Sequence, residues 1–105
     1  MRRATANSVA TMHPPVLPGE VLAEEFLAPL GMSAKALAKA VEMSPVSVSH
    51  IIAGSRAITA DTALRLGRYF GTTAQVWLNL QTNYDLAIAS VALAETIEHI
   101  RPRAA

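Results

Sequence analysis

Residues 33–54 read Ser-Ala-Lys-Ala-Leu-Ala-Lys-Ala-Val-Glu-Met-Ser-Pro-Val-Ser-Val-Ser-His-Ile-Ile-Ala-Gly. The run describes one helix, a tight turn at Glu42-Met43-Ser44, and a second helix opened by Ser44 with Pro45 at its first position. A serine at an N-cap accepts from a backbone N–H that has no partner inside the helix. A proline just after it lacks only a donor that the helix does not use. Leu37 and Val41 lie one turn apart on one face, and Val48, Ile51 and Ile52 supply the facing apolar stripe. Ala38 falls where the second helix crosses, so it has to be small. Two short helices joined this way cross steeply, and the second can then enter a DNA major groove. The stretch is a helix-turn-helix.

Upstream, Pro18 opens a helix whose inner face is Val21, Leu22, Phe26 and Leu27, with Glu20 and Glu24 in the favourable first turns. Pro29 and Gly31 stop it, and Ser33 caps the next helix, which is expected to run to about Val41. Downstream, Gly54 ends the third helix and Ser55-Arg56-Ala57-Ile58 forms a loop. Thr59 caps a fourth helix over 60–70, with Ala63, Leu64, Leu66 and Phe70 facing inward and Gly71 ending it. Thr73 caps a fifth helix containing Val76, Trp77 and Leu80. Asn79, Asn83 and Asp85 are weak helix formers, so a break is expected near Tyr84. A last helical stretch over 86–100 then stops before Pro102. Residues 1–16 lack periodicity and contain Pro14-Pro15, which reads as a flexible or extended arm.

A chain of 105 residues is expected to be one domain with a modest core. Half of it is hydrophobic, but alanine supplies much of that and aromatics only 5%, a composition suited to closely packed short helices. Cysteine is absent, which rules out disulfides and thiolate metal sites and agrees with a reducing cytosol. The longest apolar run, residues 86–93, is far short of the ~18 residues of a membrane span. The start, Met-Arg-Arg-Ala-Thr-Ala-Asn-Ser, has no apolar stretch behind its basic residues and does not read as a secretory signal. A cytoplasmic protein without membrane contact is expected.

Net charge is only +1, but it is unevenly placed. Residues 19–32 carry −3, residues 33–68 carry +3, residues 69–100 carry −3, and the two ends add +4. The positive block coincides with the helix-turn-helix, as phosphate neutralisation requires; merely solvated faces are the competing reading. Enzyme chemistry finds little support. His13, His50 and His99 stand in separate segments without metal-ligand spacing, and Glu24-Glu25 are neighbours pointing to different sides of a helix. Neither a Gly-rich phosphate loop nor a nucleophile elbow is present. No catalytic residue, metal or cofactor is expected.

The residues also resemble a known family, the Xre-type helix-turn-helix proteins, and more narrowly the HigA-type antitoxins. The match covers about residues 14–86. It rests on Pro18-Gly19-Glu20, Glu24-Glu25-Phe26-Leu27, Pro29-Leu30-Gly31, Leu37-Ala38-Lys39-Ala40 and Gly54-Ser55-Arg56. The run from Ile58 to Leu66, then Tyr69-Phe70-Gly71-Thr72 and Trp77-Leu78-Asn79-Leu80-Gln81, completes it. The helix pattern already reads as all-α, five or six short helices, and the resemblance makes it a lambda-repressor-like five-helix helix-turn-helix domain over 17–84; residues 85–105 are read as a C-terminal helical extension, the dimerisation segment and tail. The resemblance implies a homodimeric repressor of double-stranded operator DNA that also neutralises a cognate HigB-type ribonuclease toxin encoded beside it. It further implies that the third helix reads bases while the start of the second helix and the loop after the third hold phosphates. Two positions depart from the pattern: Ala34 stands where many relatives place a phosphate-contacting Gln, and Glu42 where they favour Gly. A left-handed turn residue costs a non-glycine side chain ~1 kcal/mol.

With the third helix in a groove, Pro45, Val46, Ser47, Ser49, His50 and Ala53 face outward. Ser47 and His50 can donate or accept at base edges or phosphates, and Val46 can meet a thymine methyl. This face has no Arg, Asn or Gln for a bidentate base contact, so DNA shape and dimer spacing are expected to carry much of the specificity. For Val46 and His50 an incidental surface position is the alternative. Lys35 and Arg56 bracket the motif and are the main phosphate candidates. Ser33 and Ser44 serve chiefly as caps, although backbone N–H groups at those helix starts also hold phosphates. Arg65 and Arg68 are expected to be solvated or paired, and Arg2 and Arg3 to be a passive tail or to reach a minor groove.

Trp77, Leu80, Tyr84, Ile88 and Val91 recur at helical spacing. Trp77 and Leu80 are expected in the core, while residues 88–97, with Ile88, Val91 and Ile97, are expected to form a two-fold interface. The remaining alternatives are a stand-alone regulator without a toxin and an interaction domain that has lost DNA affinity.

Overall fold

Every helix that follows a Ser or Thr starts where that side chain caps it. In the computed structural model, which describes residues 15–104, Ser33 Oγ accepts from Ala36 N–H at 3.0 Å and Ser44 Oγ from Ser47 N–H at 3.1 Å. Thr59 and Thr73 cap in the same way, at 3.4 and 3.2 Å. The helices are α1 over residues 18–30, α2 (Ala34–Ala40), α3 (Pro45–Ala53), α4 (Ala60–Phe70), α5 (Ala74–Ala92) and α6 (Ala94–His99). No strand occurs among the described residues, so the all-α architecture stands. Of the expected arm, residues 1–14, with Arg2, Arg3 and His13, lie outside the described residues.

The first helix is not regular. Its middle, Leu22–Leu27, is a π-helical stretch in which the Ala28 N–H reaches back five residues to the Ala23 carbonyl. Pro29 offers no N–H, and in a regular turn its ring presses on the carbonyl of Glu25; the wider turn relieves that contact.

The core forms where α1, α2, α3, α4 and the first half of α5 meet. Leu37, Ala38, Val41, Val48, Ile51, Ile58, Leu66 and Trp77 are buried in it, and Ala38 has no accessible surface. The α2–α3 crossing therefore sits on alanine, as its size requires. A second close approach joins α1 to α3: a Cβ on Gly19 would strike the Ile51 carbonyl oxygen and lie 2.6 Å from that of Ile52. Phe26, Phe70 and Trp77 form an aromatic cluster, with Phe26 at 4.9 Å from each of the other two rings. The Trp77 Nε1–H donates to Thr72 Oγ1 at 2.8 Å, so the one polar atom of this buried ring is satisfied.

Two expectations are corrected. Leu64 is 64% exposed rather than inward, because Ala63, Leu66 and Phe70 already occupy the core-facing side of α4. The break near Tyr84 does not occur. The fifth helix runs without interruption through the expected 84/85 boundary to Ala92, and the chain turns at Leu93. Asn79 and Asp85 are held inside the helix by i,i+4 hydrogen bonds from Gln75 and Gln81, both at 2.9 Å. Packing of α5 on α4 outweighs propensity deficits of a few tenths of a kcal/mol per residue.

Candidate nucleic-acid interface

The α2–α3 pair leaves one long side of α3 uncovered. Val46 is 60% exposed, and Pro45, Ser49, His50 and Ala53 are exposed with it, while Val48 and Ile51 on the opposite side are buried. Ser47 lies between these extremes, half-buried at the edge of the outer face.

A hydrogen-bond chain runs along that edge. Ser44 Oγ donates to Ser47 Oγ at 2.8 Å, and Arg56 Nη1 donates to the same Ser47 oxygen at 2.7 Å. Ser44, Ser47 and Arg56 are thus brought together, and the guanidinium is drawn from the loop onto the start of α3. Ser44 spends its oxygen on the Ser47 N–H, which leaves it a cap first. The loop is itself pinned: Gly54 adopts φ 86°, and the backbone N–H groups of Ser55 and Arg56 both donate to the His50 carbonyl, at 2.9 and 3.2 Å. Its far end is tied to α5, where Gln81 Oε1 accepts from the Ile58 N–H at 2.8 Å.

Lys35 does not join this chain. It lines a groove of about 410 Å³ with Ser33, Ala36, Lys39, Met43 and Pro45, so two lysines share a groove with the first residue of α3. Lys39 was not singled out from the sequence, although its i,i+4 spacing from Lys35 places both on one side of α2. Arg65 is turned away: Nε donates to Asp61 Oδ1 at 2.6 Å and Nη1 to the carbonyls of Val41 and Glu42. Glu42 occupies the left-handed region, φ 59°, at the turn where glycine is the easier residue.

On α5 the apolar stripe changes character along its length. Trp77 is buried, Leu80 and Tyr84 are half-buried, and Ile88 and Val91 are 46% and 77% exposed. Ile97 on α6 is 56% exposed, and Leu86, Leu93 and Ile100 extend the uncovered apolar surface. Among the described residues no group of three or more His, Asp and Glu side chains could hold a metal ion. None of their helices is long and apolar enough to cross a membrane.

Fold and site together define a helix-turn-helix domain, and the family model HTH_3, described as Helix-turn-helix, matches residues 24–77. The virulence-associated protein I of Dichelobacter nodosus is 59% identical over 76 residues, covering 72% of this chain and 70% of that protein. Antitoxin HigA-1 of Vibrio cholerae is 37% identical over 92 residues, covering 88% and 87%. Among solved structures, the Pseudomonas aeruginosa antitoxin HigA with the higBA promoter superposes with a TM-score of 0.83 at 48% identity, covering 86% of this chain and 99% of that one. The chain belongs to the Xre-type helix-turn-helix family and, within it, to the HigA-type antitoxins.

Proposed function

We propose that this chain is a homodimeric repressor that binds double-stranded operator DNA through α3, and an antitoxin that neutralises a cognate HigB-type ribonuclease toxin in the cytoplasm. The observation that carries the DNA reading is the Arg56–Ser47 hydrogen bond, which sets a guanidinium on the start of an otherwise uncovered helix. Val46, Ser47, Ser49 and His50 are the base-facing residues. Lys35, Arg56 and the Val46 backbone N–H, the donor left open behind the Ser44 cap, hold phosphates, with Lys39 beside Lys35 as a further cation. The bond leaves Ser47 one hydroxyl donor for an outside acceptor. No side chain on this face forks onto a guanine or adenine, so specificity comes chiefly from groove shape and from the spacing of two reading heads.

Residues 17–84 serve as the DNA-binding unit and residues 85–105 as the dimerisation segment, with Ile88, Val91 and Ile97 at the contact. Support comes from the stripe on α5, which continues past the core and is covered by none of the described residues. A symmetric pair suits a palindromic operator.

Titration against the chain's own promoter fragment at two salt concentrations tests the DNA half. Lys35→Ala and Arg56→Ala should each weaken binding across sequences and flatten the salt slope by roughly one unit. Unchanged slopes in both variants would take the two residues out of the interface. Copurification with the neighbouring gene product, followed by growth rescue, tests the antitoxin half; a toxin that stays active beside this chain refutes it.

A further inference from the structure

Gln81 closes the sequence pattern of the fifth helix. Its amide is used at both ends. Oε1 accepts from the Ile58 N–H at 2.8 Å, in a half-buried setting, and Nε2 donates to Asp85 Oδ1 at 2.9 Å. The Asp85 contact fixes which end of the amide faces Ile58: the nitrogen is held by the carboxylate, so the oxygen meets the N–H. Ile58 is only 3% exposed and anchors the loop in the core, two residues after Arg56. The other end of the loop is tied through the His50 carbonyl, and Arg56 then reaches Ser47. A narrow crevice of about 160 Å³, lined by Arg56, Ala57, Gln81, Tyr84 and Asp85 among others, lies under this arrangement. Without the amide the loop would have room to settle into it.

We propose that Gln81 is a positioning residue for operator binding: by holding the Ile58 N–H, it keeps the loop at the height from which Arg56 bonds Ser47 and meets a phosphate. This rests on the reading of Arg56 as a phosphate contact. Gln81 touches no DNA; it acts from α5, the same helix that carries the uncovered Ile88 and Val91.

The test compares the full-length chain with Gln81→Met, Arg56→Ala and the double variant, using operator affinity over a series of salt concentrations. Gln75→Met, which removes a similar amide pair from the exposed start of α5, is the control and should leave affinity and slope unchanged. Gln81→Met should lower the salt slope by about one unit, as Arg56→Ala does, and the double variant should lose no more than either alone. Exchange of the Ile58 amide should quicken in Gln81→Met while the helical amides keep their protection. A merely structural role would lower thermal stability and leave the slope untouched. If Arg56→Ala flattens the slope and Gln81→Met does not, the positioning role is wrong while the interface stands. If Arg56→Ala itself leaves the slope unchanged, both fail. Should the methionine variant not fold, Gln81→Asn, whose amide stops one methylene short of Ile58, gives the same two outcomes.

Discussion

Arg65 Nη1 lies 2.8 Å from the carbonyl oxygen of Glu42 and 2.8 Å from that of Val41, so one guanidinium from α4 closes the end of α2 at the helix-turn-helix turn. Carbonyls in the last turn of a helix have no partner inside it and carry the negative end of its dipole, and a cation there answers both needs. Asp61 holds the other side of the guanidinium, Nε to Oδ1 at 2.6 Å, but its carboxylate is 70% exposed.

The two partners of that pair should therefore differ in weight. Arg65→Ala removes two charge-assisted bonds to the turn and is expected to cost about 1.5–3 kcal/mol in urea unfolding. Asp61→Ala breaks only an exposed pair and should cost under about 1 kcal/mol. Equal losses would mean that the turn carbonyls contribute nothing.

Glu42 holds φ 59°, and its contact with Arg65 runs through the backbone, so glycine can replace it without loss of that bond. Relief of the left-handed strain exceeds the extra entropy of an unfolded glycine. Glu42→Gly should stabilise by roughly 0.5–1 kcal/mol. A rise in Tm of a few degrees would register it.

Gly19 calls for the opposite outcome. Any side chain there meets the carbonyls of Ile51 and Ile52 at the end of α3. Gly19→Ala has to push α1 off α3 and should destabilise by about 1–3 kcal/mol. The shift also disturbs the helix proposed to read DNA, so operator affinity should fall with stability. A variant as stable as the parent would show that the approach is not tight.

Val91 and Ile97 are 77% and 56% exposed among the described residues. Charged replacements at both, Val91→Asp with Ile97→Asp, should leave the helical content intact and abolish dimers in sedimentation. Operator affinity should drop with them, because each reading head then binds alone. Dimers that persist would place the two-fold contact elsewhere.

The helix starts and stops were legible because they are local chemistry. Ser33, Ser44, Thr59 and Thr73 each cap as their positions require, and Gly31, Gly54 and Gly71 each end a helix in the left-handed region. The helix-turn-helix was readable for the same reason, since Leu37, Ala38, Val41, Val48 and Ile51 are all buried where their spacing places them. The continuity of α5 was not. Weak formers at Asn79, Asn83 and Asp85 argue for a break, and packing against α4 together with the Gln75–Asn79 and Gln81–Asp85 bonds overrides them. Leu64 illustrates the same limit, as periodicity marks an apolar residue but not whether the core has room for it.

By itself the sequence determined the family and the helices up to the start of α5, because capping, turn conformation and apolar spacing act within a few residues. Only the tertiary structure decided the partners. Arg56 with Ser47, Arg65 with the Glu42 turn, and Gln81 with Ile58 join residues 9 to 23 positions apart. Each such bond depends on where a folded helix puts a side chain in space, a quantity set by the packing of the whole core and not by neighbours along the chain.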